Sequence, residues 1–197
     1  MIVRTLLLLL CLTPGFAFGE TALSFHLPLP DGWHRETIPF PLEFAPGLEY
    51  EGLEELRFAP GMFDAEADDF WSYAFVWWIP DHTPIDADRL ARDLRAYFAG
   101  LTASVARSRK IDPQGAKHEI TLEAAAPAAD SRLEYTGTAN VFDSFVTLEQ
   151  VRLQFRVTRT PCPEVGYQAV IFELSPQPRS HPIWTDLAAI RDEFCCE

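Results

Sequence analysis

The sequence predicts an α+β fold, in which an antiparallel sheet of about six to seven strands carries one long central helix and a C-terminal helix. Three observations carry that expectation. Segments with period-two alternation of apolar and polar residues crowd the second half of the chain, the pattern of strands with one buried and one wet face. From Asp86 to Leu101 the apolar residues instead recur at helical spacing. A second stretch of helical spacing, Ile183 to Phe194, closes the chain.

In chain order, the first twenty residues read MIVRTLLLLLCLTPGFAFGE, with Arg4 ahead of a continuous apolar run from Leu6 to Leu12 and small residues after a Pro-Gly break. This is the layout of a secretory signal peptide over residues 1–19. Cleavage after Gly19 or after Ala17 fits the small-residue requirement. The run is too short to span a bilayer. The expected product is a single α+β domain over residues 20–197, periplasmic or secreted.

Residues Glu43 to Leu48 (EFAPGL) and Arg57 to Met62 (RFAPGM) echo each other, each like a strand end closed by a Pro-Gly turn. Before the first copy Phe40, Leu42 and Phe44 alternate with Pro39, Pro41 and Glu43, which predicts an edge strand because proline cannot donate to a ladder. Leu56 and Phe58 predict its partner.

FWSYAFVWWIP, residues 70–80, follows. On a strand Trp71, Tyr73, Phe75, Trp77 and Ile79 share one face, while Phe70, Ser72, Ala74, Val76 and Trp78 share the other. The small face is expected beneath the helix that begins near Asp86, since small residues admit close approach. The bulky face is then left to the closing helix, with Trp184 and Phe194, or to the segment around Trp33. Core packing is the expected use of that face. If its cover is incomplete, Trp71, Tyr73 and Trp77 become a stacking surface for an apolar or sugar ligand.

Asp86 is placed to cap a helix carrying Leu90, Leu94, Tyr97, Phe98 and Leu101 on one side. Three alternating strands come next, around His118 to Leu122, Leu133 to Val141 and Val151 to Val157. A fourth, Gly166 to Leu174, is apolar on both faces and is expected deeper in the sheet. Of Cys162, Cys195 and Cys196, export favours one disulfide, from Cys162 to Cys196 or to Cys195, tying the closing helix to the loop between the last two strands.

This order of elements, with GWHRETIPFPLEF leading a hairpin, DADRLARDLRAYF in the middle and a closing helix ending in Phe194, resembles the PsbP-like family. The resemblance covers most of residues 20–197 as topology. It implies that fold and an accessory role beside other proteins, with no residue-level site carried across. Cystatin-like and similar helix-on-sheet folds share the pattern.

The chain carries 16 Lys and Arg against 29 Asp and Glu, a net charge of −13. A field of that sign repels phosphate backbones and anionic lipid, so neither nucleic acid nor a membrane surface is expected as a partner. No G-x-S-x-G, H-E-x-x-H, P-loop or dinucleotide-binding motif occurs. No cofactor is expected beyond calcium, for which Asp64, Glu66 and Asp68 in DAEADD imitate alternating oxygen ligands. The sixth position there is Asp69 rather than glycine, and the twelfth is Phe75 rather than glutamate.

Three further polar groups are candidates. Asp81 and His82 are an acid and base in a turn. Glu119, Glu123, Glu134, Arg152, Gln154 and Arg156 on the wet sheet face form a polar platform. The segment from Phe40 to Ala45 is a candidate edge for strand addition by a protein partner. Together these features favour an exported, non-enzymatic binding or accessory domain. The alternative is a hydrolase-type enzyme whose site is assembled across the fold from Asp64, Asp68, His82 or His118.

Overall fold

The computed structural model describes residues 25–125 and 133–197. The leader assigned to residues 1–19 lies outside them. In chain order the elements are β1 (Phe25–His26), β2 (His34–Pro39), β3 (Leu53–Phe58), β4 (Tyr73–Pro80), α1 (Ala87–Arg109), β5 (Glu119–Ala124), β6 (Leu133–Phe142), β7 (Gln150–Cys162), β8 (Tyr167–Ser175), α2 (Ile183–Asp192) and β9 (Cys195–Cys196). Strands β2 to β8 form one seven-stranded sheet in the order β2-β3-β4-β8-β7-β6-β5, every neighbour antiparallel. The expected α+β class and strand number are borne out, and β1 pairs separately with β9.

Strands β4 and β8 are adjacent at the centre of the sheet, so both their faces are covered. This is why FWSYAFVWWIP and the last strand read as nearly continuous apolar runs while β6 and β7 alternate. Asp86 caps α1 as expected, its Oδ1 accepting from the Arg89 backbone N–H at 2.8 Å. The 23-residue helix ends at Lys110 in the left-handed region.

The expected assignment of helices to the two faces of β4 is reversed. Helix α1 packs Leu90, Leu94, Tyr97 and Phe98 on the bulky face, against Tyr73, Phe75, Trp77 and Ile79. Helix α2 takes the small face, with Ile183, Trp184 and Leu187 over Ala74, Val76 and Ala169. The register supplies the reason. Phe75 aligns with Phe172, Val157 and Tyr135 across four strands, whereas Ala74 aligns with Glu173, Arg156 and Thr136. Only the bulky face is apolar across the sheet, so the helix that crosses from β4 to the far edge at β5 must cover it.

The edge strand also falls elsewhere. Pairing stops at Pro39, and residues 40–48 turn through a cis Phe40–Pro41 bond away from the sheet and onto α1. Phe44 there meets Tyr97 edge-on at 5.1 Å between ring centroids. Gly100 permits the crossing, because a Cβ at that position would lie 2.0 Å from the Phe44 carbonyl oxygen.

Cys162 bonds Cys196, which selects between the two expected pairings and leaves Cys195 free and exposed. With β1 pairing β9, and with the Arg57 guanidinium donating to the carbonyls of Leu27 and Pro28 at 2.8 Å, the two ends of the described domain are held together.

Candidate functional site

Between α1 and the end of the sheet where β3 finishes and β4 begins lies a cavity of ≈ 330 Å³. Leu56 and Phe58 of β3 and Tyr73 of β4 form its floor, Tyr97 and Leu101 of α1 its roof. Glu36 and Ile38 of β2 form one side. Phe44, Met62, Phe63, Trp71 and Phe145 enter from three loops. Phe63, 53 % exposed, and the exposed Glu36 stand at the opening.

Alternation puts Leu56, Phe58 and Tyr73 on this face, but the loop residues need separate causes. Phe145 is held by Asp143, whose carboxylate accepts from the backbone N–H groups of Phe145, Val146 and Thr147 and from the Thr147 hydroxyl at 2.7 to 3.1 Å. Burial pushes that carboxyl's pKa upward, and the donated bonds outweigh it, holding the group below its ordinary range. Arg109 fastens the same turn by donating to the carbonyls of Ser144 and Phe145. Phe145 then meets Trp71 at 6.1 Å and Phe63 at 5.5 Å between centroids.

Trp71 lies one turn ahead of β4 rather than in it, with φ at 52°. Such a left-handed conformation costs a bulky L-residue on the order of 1 kcal/mol. Its backbone N–H donates to Met62 at 3.2 Å, and its buried indole Nε1 has no hydrogen-bond partner. The three aromatics singled out from sequence therefore separate. Trp71 and Tyr73 line the cavity, while Trp77 is fully buried behind it.

Behind the floor is a carboxyl that the alternation pattern passes over. Glu54 of β3 is 0 % exposed and on the core face, paired in register with Trp77. Its Oε1 accepts the Trp77 indole N–H at 3.1 Å, and Oε2 has no partner. Burial pushes its pKa up to about 8 against the lowering influence of the Trp77 indole and the Tyr97 hydroxyl, with the nearby Glu36 charge raising it further. Burial and Glu54 likewise hold the Tyr73 and Tyr97 phenols far above their ordinary range. A second polar group on this side, Asp93 of α1, accepts from Tyr50 at 2.5 Å and pairs with Arg89 and Arg92.

The other sequence candidates disperse. Asp64 and Asp68 are exposed in the loop before β4, and His82 is exposed in the turn after it. An eight-residue strand lies between them, about 26 Å long. His118 precedes β5 at the far edge, and burial lowers its pKa. Asp64 uses Oδ1 to accept the Glu66 backbone N–H at 3.0 Å. Among the described residues no three His, Cys, Asp or Glu converge as a metal site.

On the wet face Glu119 and Arg152 border a shallow recess with Thr121, Thr138 and Asn140, whereas Arg156 turns to the buried Glu173 at 3.5 Å beside Arg191 at 2.8 Å. No helix among the described residues is long and apolar enough to cross a membrane.

No protein-family model and no curated protein matches the chain. Among solved structures it is similar to the solution structure of cyanobacterial PsbP (CyanoP) from Synechocystis sp. PCC 6803. The TM-score is 0.42 at 12 % sequence identity, covering 88 % of this chain and 87 % of that one. The likeness is one of fold.

Proposed function

We propose that this is an exported binding domain that takes a small, mainly apolar guest between α1 and the β3–β4 end of the sheet. The observation that carries the reading is the ≈ 330 Å³ cavity, whose lining is apolar or aromatic apart from Glu36 and the phenol hydroxyls. Concave, mostly apolar sites with a few placed polar groups are the usual form of small-molecule pockets. A sugar would need more hydrogen-bonding partners than this wall offers. Export is supported by the leader-like N-terminus and by the Cys162–Cys196 disulfide, which persists in an oxidising compartment.

Thermal denaturation with a neutral apolar probe such as tert-butylbenzene tests the reading. A guest at a hundred times its Kd stabilises the folded state by about 2.7 kcal/mol. Leu101→Phe, which fills the cavity from the roof, should abolish the shift. No shift in the unmodified protein with this probe or with its cationic counterpart, trimethylphenylammonium, would remove the proposal.

A further inference from the structure

Resting on the reading that the cavity takes a guest, we infer that the guest is an organic cation: a tertiary or quaternary ammonium group on a short apolar body. Aromatic rings from separate elements surround the space, among them Phe58 of β3, Tyr73 of β4, Tyr97 of α1 and the loop residues Trp71 and Phe145. Ring faces carry negative quadrupole potential and attract alkylated ammonium groups. Glu36 is the one charged residue in the lining, which includes no Lys, Arg or His. Behind the wall sits Glu54, fully buried with one carboxyl oxygen unpartnered.

An anionic guest would face Glu36 and make any ionisation of Glu54 costlier. A neutral guest would gain nothing from either carboxyl. A primary ammonium must give up water around three N–H donors, and the acceptors in the lining are the Glu36 carboxylate at the mouth and the phenol oxygens of Tyr73 and Tyr97, while the rest of the wall is apolar or aromatic. A metal ion requires a shell of oxygen ligands, which rings do not supply. A quaternary ammonium needs no acceptor and a tertiary one needs only one, which Glu36 supplies, while both keep the charge, and the net charge of −13 draws such cations inward.

The groups facing Glu54 are Glu36 from β2, Tyr73 and Trp77 from β4, and Tyr97 from α1. None of them is a cation. An ammonium guest therefore favours the ionised form of Glu54, releases its proton on binding, and binds more tightly as pH rises through about 8.

Titration of the protein with trimethylphenylammonium and with tert-butylbenzene, of the same shape and different charge, decides the matter. The cation should bind about tenfold more tightly at pH 9. Glu36→Gln should remove most of that preference, and Glu54→Gln should remove its rise between pH 7 and 9. Equal or tighter binding of tert-butylbenzene overturns the inference and leaves the cavity reading standing. Binding of neither overturns both. A cation preference that survives both substitutions lies elsewhere on the acidic surface and overturns the inference.

Discussion

The Trp77 indole and the Glu54 carboxyl face one another across a single register pair of β3 and β4, joined by a 3.1 Å hydrogen bond inside the aromatic core. This pair places a proton-binding group where only hydrocarbon would be expected.

Stability should therefore depend on pH through Glu54. Burial raises its folded-state pKa from an ordinary 4.5 to about 8, so the folded form holds the proton more tightly than the unfolded chain. The contribution is fully present below about pH 4.5, falls as pH rises, and is gone above about pH 8, a span of roughly 5 kcal/mol. Denaturant titrations of the protein and of Glu54→Gln from pH 4 to 9 should give curves that differ by this slope. Parallel curves would exclude Glu54 as its source.

Trp77→Ala should cost about 3 to 5 kcal/mol, because it empties a fully buried site and strips Glu54 of a donor. Phe63→Ala, at the exposed mouth, should cost less than about 1 kcal/mol. Urea midpoints measure both, and equal losses would contradict the division between core and cavity mouth.

Gly100→Ala sets two effects against each other. Alanine improves helix propensity by about 1 kcal/mol. Its methyl group would meet the Phe44 carbonyl at 2.0 Å, and displacing the 40–48 loop should cost about 1 to 3 kcal/mol. A net loss of stability is expected, and a gain in Tm would show that the crossing is not tight.

Serine at Cys196 should destabilise the domain by roughly 3 to 4 kcal/mol, since the bond closes a loop with a sequence separation of 34. Serine at the exposed Cys195 should leave the melting curve in place. If the two variants melt alike, the disulfide contributes nothing to stability.

Much of the fold was legible because alternation reports burial directly. Val151, Leu153, Phe155 and Val157 announced β7, and the doubly apolar runs announced the central strands. Even the face taken by α1 was available in principle: the polar partners of Ala74 along the register are Glu173 and Arg156. Using them required strand order, which periodicity does not contain. The Pro-rich stretch 39–44 imitated an edge strand because its apolar residues are packed by separate contacts, Phe40 on Tyr50 and Trp77 and Phe44 on Tyr97, rather than by pleating.

The cavity was legible only in fragments. Trp71 and Tyr73 stood out by composition, but Phe145 reaches them through a turn organised by Asp143, and Tyr97 through a helix far along the chain. Glu54 was hidden for a different reason. In L-E-E-L-R-F two glutamates are adjacent, and nothing local says that one enters the core while Glu55, on the opposite face, meets Arg57 at 2.5 Å.

The disulfide and the β1–β9 pair have a geometric consequence for how the domain is presented. Phe25 lies opposite Cys196 in register, and Cys162 aligns through Tyr167 with Pro80, the last residue of β4. The cavity opens beside Tyr73, the first residue of that strand, and on its other face. Tether and mouth thus occupy opposite poles of the molecule. Anything that grips the described domain at the paired Phe25 and Cys196 therefore leaves the cavity mouth on the side away from the grip.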